Sequence, residues 1–157
     1  MTPAKHALRI EREFDAPRES VFRAWTERDQ LRRWYHFNDD WQIAEVEVDV
    51  RVGGKYRISW KAPDGQMWYE LGEYREIAPP ERLVKTCRFE FPGLDEDETL
   101  LTIEFFERGS RTLVVITQEG YRHAETRDNH QQGWPSFLDQ LARQLESASG
   151  RSTSDRP

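Results

Sequence analysis

Gly72-Glu73-Tyr74-Arg75-Glu76-Ile77-Ala78-Pro79-Pro80-Glu81-Arg82-Leu83-Val84 reads as a strand, a turn nucleated by two prolines, and a second strand. Proline cannot donate to a sheet ladder, so the pair at 79–80 ends one strand before the next begins. Outward from this hairpin, residues 41 to 119 keep a period of two. Ala44, Val46, Val48 and Val50 alternate with Glu45, Glu47 and Asp49. Gly53-Gly54 supplies a turn before Tyr56, Ile58 and Trp60. Pro63-Asp64-Gly65 turns into a long strand from Met67 to Ile77. Leu83 to Phe91 runs into an acidic loop, Pro92 to Glu98. Leu101, Ile103 and Phe105 share one parity, and Gly109-Ser110 turns into Val114, Ile116 and Gln118. Hairpins at this short spacing predict an antiparallel meander.

The flanks are different. Leu8, Ile10 and Phe14 form a first strand whose inward parity is broken by Arg12. Phe14-Asp15-Ala16-Pro17 ends it, and Pro17 suits a first helical turn. Val21, Phe22 and Trp25 share one face of a short helix. Thr26 and Asp29 read as a capping pair for a second, which carries Leu31, Trp34 and Tyr35. At the other end His130, Trp134, Phe137, Leu138, Leu141 and Leu145 recur as one apolar helical stripe, predicting a helix over 126–146. Pro135 is expected to kink it near Gly133. After Glu146 the composition turns to Ser, Gly and Arg, which predicts one domain over 1–148 and a disordered tail over 149–157.

Four of these segments stand in a telling order: Phe14-Asp15-Ala16-Pro17 with Val21 to Thr26, Asp49 to Tyr56 with its Gly53-Gly54, Gly72 to Val84, and Gly133-Trp134. Over residues 8 to 146 the chain resembles the bacterial relatives of the activators of heat-shock-protein-90 ATPase. That AHSA-type family lies within the START-like superfamily (SRPBCC, the birch-pollen-allergen fold). The resemblance implies an α+β helix-grip fold: a curved antiparallel sheet of six to seven strands around a long C-terminal helix, with two short helices after strand 1. It also implies a hydrophobic cavity between sheet and helix. Its expected lining is Tyr56, Ile58, Trp60, Cys87, Phe89, Ile103, Phe105, Val114 and Ile116 from the sheet, and Trp134, Phe137, Leu138 and Leu141 from the helix. A close-packed core is the alternative use of the same residues.

Composition narrows the functional classes. The 157 residues carry a net charge of −6, a poor match to a phosphate backbone, so no nucleic-acid partner is expected. No apolar run is long enough to span a membrane. One cysteine excludes an intrachain disulfide, and a reducing cytoplasm fits. The sequence holds no nucleophile elbow, P-loop or dinucleotide fingerprint. Its four histidines lack metal-ligand spacing, so neither a metal nor a cofactor is expected.

Inward-facing polar residues remain as candidates. His130 lies on the helical stripe and is the best candidate for acid–base chemistry, or else a structural histidine bonded near the helix end. Gln118 shares parity with Ile116 and is suited to bond a ligand or to satisfy the strand end. Lys85 shares parity with Cys87 and is expected to snorkel to solvent. Arg12 and Glu73 are weaker candidates. Trp34, Tyr35, His36, Phe37 and Trp41 form a cluster suited to an entrance or to helix-to-sheet packing. The leading expectation is non-catalytic binding of a small apolar or aromatic molecule. The alternatives are a cyclase-, dehydratase- or hydrolase-type enzyme in the same cavity, as in the superfamily's polyketide cyclases, and a co-chaperone-like interaction domain. A homodimer or a chaperone contact is left open.

Overall fold

A computed structural model describes residues 6–91, 94–95 and 98–154 of the chain. The elements run β1 (His6–Phe14), α1 (Arg18–Thr26), α2 (Arg28–Trp34), β2 (Gln42–Val48), β3 (Lys55–Lys61), β4 (Met67–Ala78), β5 (Arg82–Phe91), β6 (Leu94–Asp95), β7 (Thr99–Arg108), β8 (Arg111–Tyr121) and α3 (Ala124–Ser154). Seven strands form one antiparallel path, β1-β8-β7-β5-β4-β3-β2, and the two-residue β6 pairs with β5. The long α3 lies against β1, β8 and α2. This is the helix-grip arrangement: an apolar helix stripe and one face of a curved sheet bury each other.

The Pro79-Pro80 turn joins β4 to β5 in register from Tyr69↔Glu90 to Ala78↔Arg82, with an irregularity between Tyr74 and Glu76. Gly72 carries a requirement of its own. A Cβ there would stand 1.9 Å from the Thr86 carbonyl oxygen and 2.6 Å from a ring carbon of Tyr56. Only a residue without a side chain lets the Tyr56 ring cross β4 at this point.

Several local expectations change. Ala44 is exposed because a register shift between Ile43 and Glu45 re-aims β2, and Ile43 packs on the core in its place. Val50 lies beyond the strand and is exposed. Thr26 does not cap α2; its hydroxyl donates back to the Phe22 carbonyl, and Glu27 takes the cap position. Pro17 is the N-cap of α1. α3 begins at Ala124 and continues through Ser154, with Pro135 inside it, so it is longer than the apolar stripe alone suggests. The expected tail overlaps this helix through Ser154, and residues 155–157 lie outside the described residues, as does most of the acidic loop.

The core has a solid half and an aromatic half. Leu83, Leu101, Ile103, Phe105, Val114 and Ile116 from the sheet close against Leu138 and Leu141 of α3. On the other side Trp25, fully buried, meets Trp34, Tyr35 and Trp134 at ring separations of 4.9 to 6.2 Å. Tilted and edge-on rings such as these gain from their quadrupoles but fill space less completely than aliphatic side chains.

Candidate functional site

Where the aromatic half meets the open end of the sheet, a cavity of about 290 Å³ remains. Its walls are Tyr35, Phe37, Trp41, Trp60, Trp68, Cys87, Phe89, Gln118, Asn129, His130, Gly133, Trp134 and Phe137. Tyr35, Trp60, Cys87, Gln118 and Trp134 are buried and form the inner surface. Phe37, Trp41, Trp68, Phe89 and His130 are half-buried, and exposed Asn129 stands at the mouth.

Hydrogen bonds hold the rings in place. Tyr35 follows α2, and its carbonyl accepts the Trp60 indole N–H at 2.7 Å, which ties the segment after the helix to β3. Phe37 presses edge-on against Phe137 at 4.7 Å and lies tilted against Trp41 at 5.2 Å. Gly133 makes room for it, since a Cβ there would lie 2.9 Å from the Phe37 ring. The Gln118 amide accepts the Trp134 indole N–H at 3.0 Å and donates to the Thr99 hydroxyl at 2.9 Å. Thr99 in turn donates to the Cys87 carbonyl at 3.0 Å. His130 Nδ1 lies 2.7 Å from the Tyr121 hydroxyl, and its ring packs edge-on to Phe89.

Behind the cavity sits a buried ionic cluster. Glu70 accepts the Tyr35 hydroxyl on one oxygen and the Tyr56 hydroxyl on the other, both at 2.8 Å. The Tyr56 proton is shared with the Thr86 carbonyl at 2.9 Å. The Lys85 ammonium stands 3.9 Å from Glu70 and 4.3 Å from the Tyr56 ring centroid, with both charged side chains essentially sealed from solvent at 1% and 0% exposed. Lys85 therefore does not snorkel: its parity holds, and Glu70 with the two rings makes burial affordable. Burial, then the Glu70 carboxylate, pushes the Cys87 thiol well above its usual range; burial does the same to the Tyr35 and Tyr56 phenols. These groups stay neutral near pH 7.

Of the residues expected to line a cavity, Trp60, Cys87, Phe89, Gln118, His130, Trp134 and Phe137 do so. Tyr56, Ile58, Ile103, Phe105, Val114, Ile116, Leu138 and Leu141 do not. Tyr56 turns to Glu70, Phe105 packs edge-on against Phe22, and the aliphatic residues are packed shut in the core, because branched chains interdigitate where the rings around the pocket leave a gap. Arg12 pairs with Asp139 of α3, and Glu73 uses its backbone N–H on Thr86. In the 34–41 cluster, Tyr35, Phe37 and Trp41 reach the cavity; Trp34 is core, its N–H bonded to the Ala24 carbonyl. His36 keeps its Nδ1 buried without a partner among the described residues, and burial lowers its pKa against the pull of Asp39. Trp68, Asn129 and Glu70 were missed. Glu70 had a signal: it shares parity with Trp68, Gly72 and Tyr74, on the strand paired with the one that carries Lys85.

The family model described as Activator of Hsp90 ATPase homolog 1-like protein matches residues 15–146. The chain belongs to this family. Its fold recurs in a crystal structure of a Chromobacterium violaceum protein, 33% identical over 89% of this chain and 96% of that one, with a TM-score of 0.80. A Rhizobium leguminosarum protein is 28% identical over 91% and 95%, with a TM-score of 0.79. An AHSA1-like protein from Aeromonas hydrophila, solved in solution, is 26% identical over 90% and 94%, with a TM-score of 0.74. No curated protein matches the chain. Membership in the Activator of Hsp90 ATPase homolog 1-like family supports a ligand-binding or co-chaperone-like domain. Among the described residues no helix is long and apolar enough to cross a membrane, and no cluster of three or more His, Cys, Asp or Glu could hold a metal ion.

Proposed function

We propose that this AHSA-type domain binds a small, largely apolar aromatic molecule in the cavity between β3, β5 and α3, without transforming it. The observation that carries this reading is the wall: eight of the thirteen lining residues are Phe, Tyr or Trp, around about 290 Å³. That volume sits at the lower end of the ~300–1,000 Å³ range of ligand pockets and suits a fused bicyclic ring. Burying ~200 Å² of ligand at ~25 cal/mol/Å² contributes roughly 5 kcal/mol before association costs, which limits purely apolar binding to a Kd of about 0.2 mM at best. Two polar groups of the inner surface are already committed: Tyr35 donates to Glu70 and Cys87 stays a thiol. Gln118 is oriented by one bond from Trp134 and one to Thr99.

Titration with bicyclic aromatics, followed by ligand-observed NMR, tests the reading. Weak but saturable binding is expected, weakened about tenfold by Phe89→Ala, which opens one wall. Absence of saturable binding for every such probe would overturn it. One observation favours a second reading: the Tyr121 hydroxyl and His130 Nδ1 form an acid–base pair 2.7 Å apart at the cavity. In a cyclase-, dehydratase- or hydrolase-type enzyme that pair would move the proton, and His130→Gln would abolish product while leaving binding intact.

A further inference from the structure

The cavity wall contains no Asp, Glu, Lys or Arg among the described residues, so an anionic group in it would lose its hydration against no countercharge. A cation would find ring faces but no carboxylate in the wall, since Glu70 behind it is already paired with Lys85 at 3.9 Å. A neutral ligand is the one this wall accepts at least cost.

Gln118 then decides what polar edge that ligand can carry. Its orientation is not free. An indole N–H can only donate, so the Trp134 contact fixes the amide oxygen on that side. The Thr99 hydroxyl spends its proton on the Cys87 carbonyl, so it must accept from the amide nitrogen. Each end of the amide has one bond among the described residues, yet an amide has two N–H groups and two lone pairs. One donor and one acceptor of the amide therefore remain without a bond among the described residues, on a buried group in an aromatic wall.

We propose that the cavity selects neutral aromatic molecules whose edge both donates and accepts a hydrogen bond, a phenol or a lactam, and that Gln118 is the selecting residue. This rests on the binding reading above. A ketone or an ether can use only the donor and sets its own lone pairs beside the amide oxygen; a hydrocarbon uses neither.

The test compares 2-naphthol, 2-quinolone and 2-fluoronaphthalene on the full chain by ligand-observed NMR titration. The last is close in shape to the first and carries no donor. 2-Naphthol, 2-quinolone or both should bind about tenfold more tightly than 2-fluoronaphthalene, and which of them does so tells a hydroxyl from a lactam. Gln118→Met should bring the ratio of affinities to near one. Where that variant does not fold, Gln118→Leu, which also removes the polar edge, should do the same. Equal affinity of the three probes for the unaltered protein would overturn the selection by Gln118 and leave the binding reading standing. No binding by any probe would overturn both.

Discussion

Glu70 and Lys85 set the sharpest energetic constraint of any residues in this chain. Two opposite charges out of water are tolerable only while each keeps the other and their hydrogen bonds remain filled. Here two phenols fill the carboxylate, and the ring faces of Tyr56 and Tyr35 lie 4.3 and 5.6 Å from the ammonium. Lys85→Met should therefore cost about 3–5 kcal/mol, because it leaves Glu70 charged and buried. Glu70→Gln in the Lys85→Met background should restore a large part of that loss. Urea unfolding of both variants measures it, and a loss under 1 kcal/mol for Lys85→Met would show that the pair contributes little.

At the scale of elements, two glycines do different work. Gly72 is hemmed in by main chain, with the Thr86 carbonyl oxygen 1.9 Å from where a Cβ would be, and neither β4 nor β5 can retreat without losing ladder bonds. Gly72→Ala should destabilise by about 3 kcal/mol or more and displace Tyr56 from Glu70. Gly133 lies in α3, where the obstacle is the edge of the half-buried Phe37 ring. Alanine favours a helix over glycine by ~1 kcal/mol, which offsets the shift of that ring. Gly133→Ala should leave thermal stability within about 1 kcal/mol of the parent and change ligand affinity through the moved wall. Equal destabilisation by the two substitutions would show that the Phe37 side of the cavity is as rigid as the sheet.

Over the whole molecule, the buried acids share one direction. Cys87, Tyr35, Tyr56 and Tyr74 all have pKa values raised first by burial, so the native state holds their protons longer than the unfolded chain does. The unfolded groups release protons near their ordinary values of 9.0 for the thiol and 10.0 for the phenols. Above that point the unfolded state binds fewer protons and stability falls with pH. The stabilisation is complete below about pH 9 and is lost as pH rises toward the folded-state values. Melting temperature should be flat with respect to these groups from pH 7 to 8.5 and decline above pH 9. Cys87→Ala should remove the earliest part of the decline. A melting temperature that held steady to pH 11 would contradict the burial of these four groups.

What the sequence determined by itself is the part governed by local periodicity. The two-residue alternation, the paired prolines at 79–80 and the stripe on α3 lead to the sheet, its hairpins and the helix across it, since each follows from short-range geometry and one buried face. Seven of the residues around the pocket stand on faces that strand parity or the stripe of α3 already marks as inward. Parity does not say how far along that face the packing closes. Ile103, Val114 and Leu141 have the same pattern as Trp60 and Phe89, and only tertiary packing shuts the aliphatic end and leaves the aromatic end open. The pairing of Glu70 with Lys85 likewise depended on the register between β4 and β5 and on the space at Gly72. Long-range contacts of this kind are decided when strands and rings meet in three dimensions.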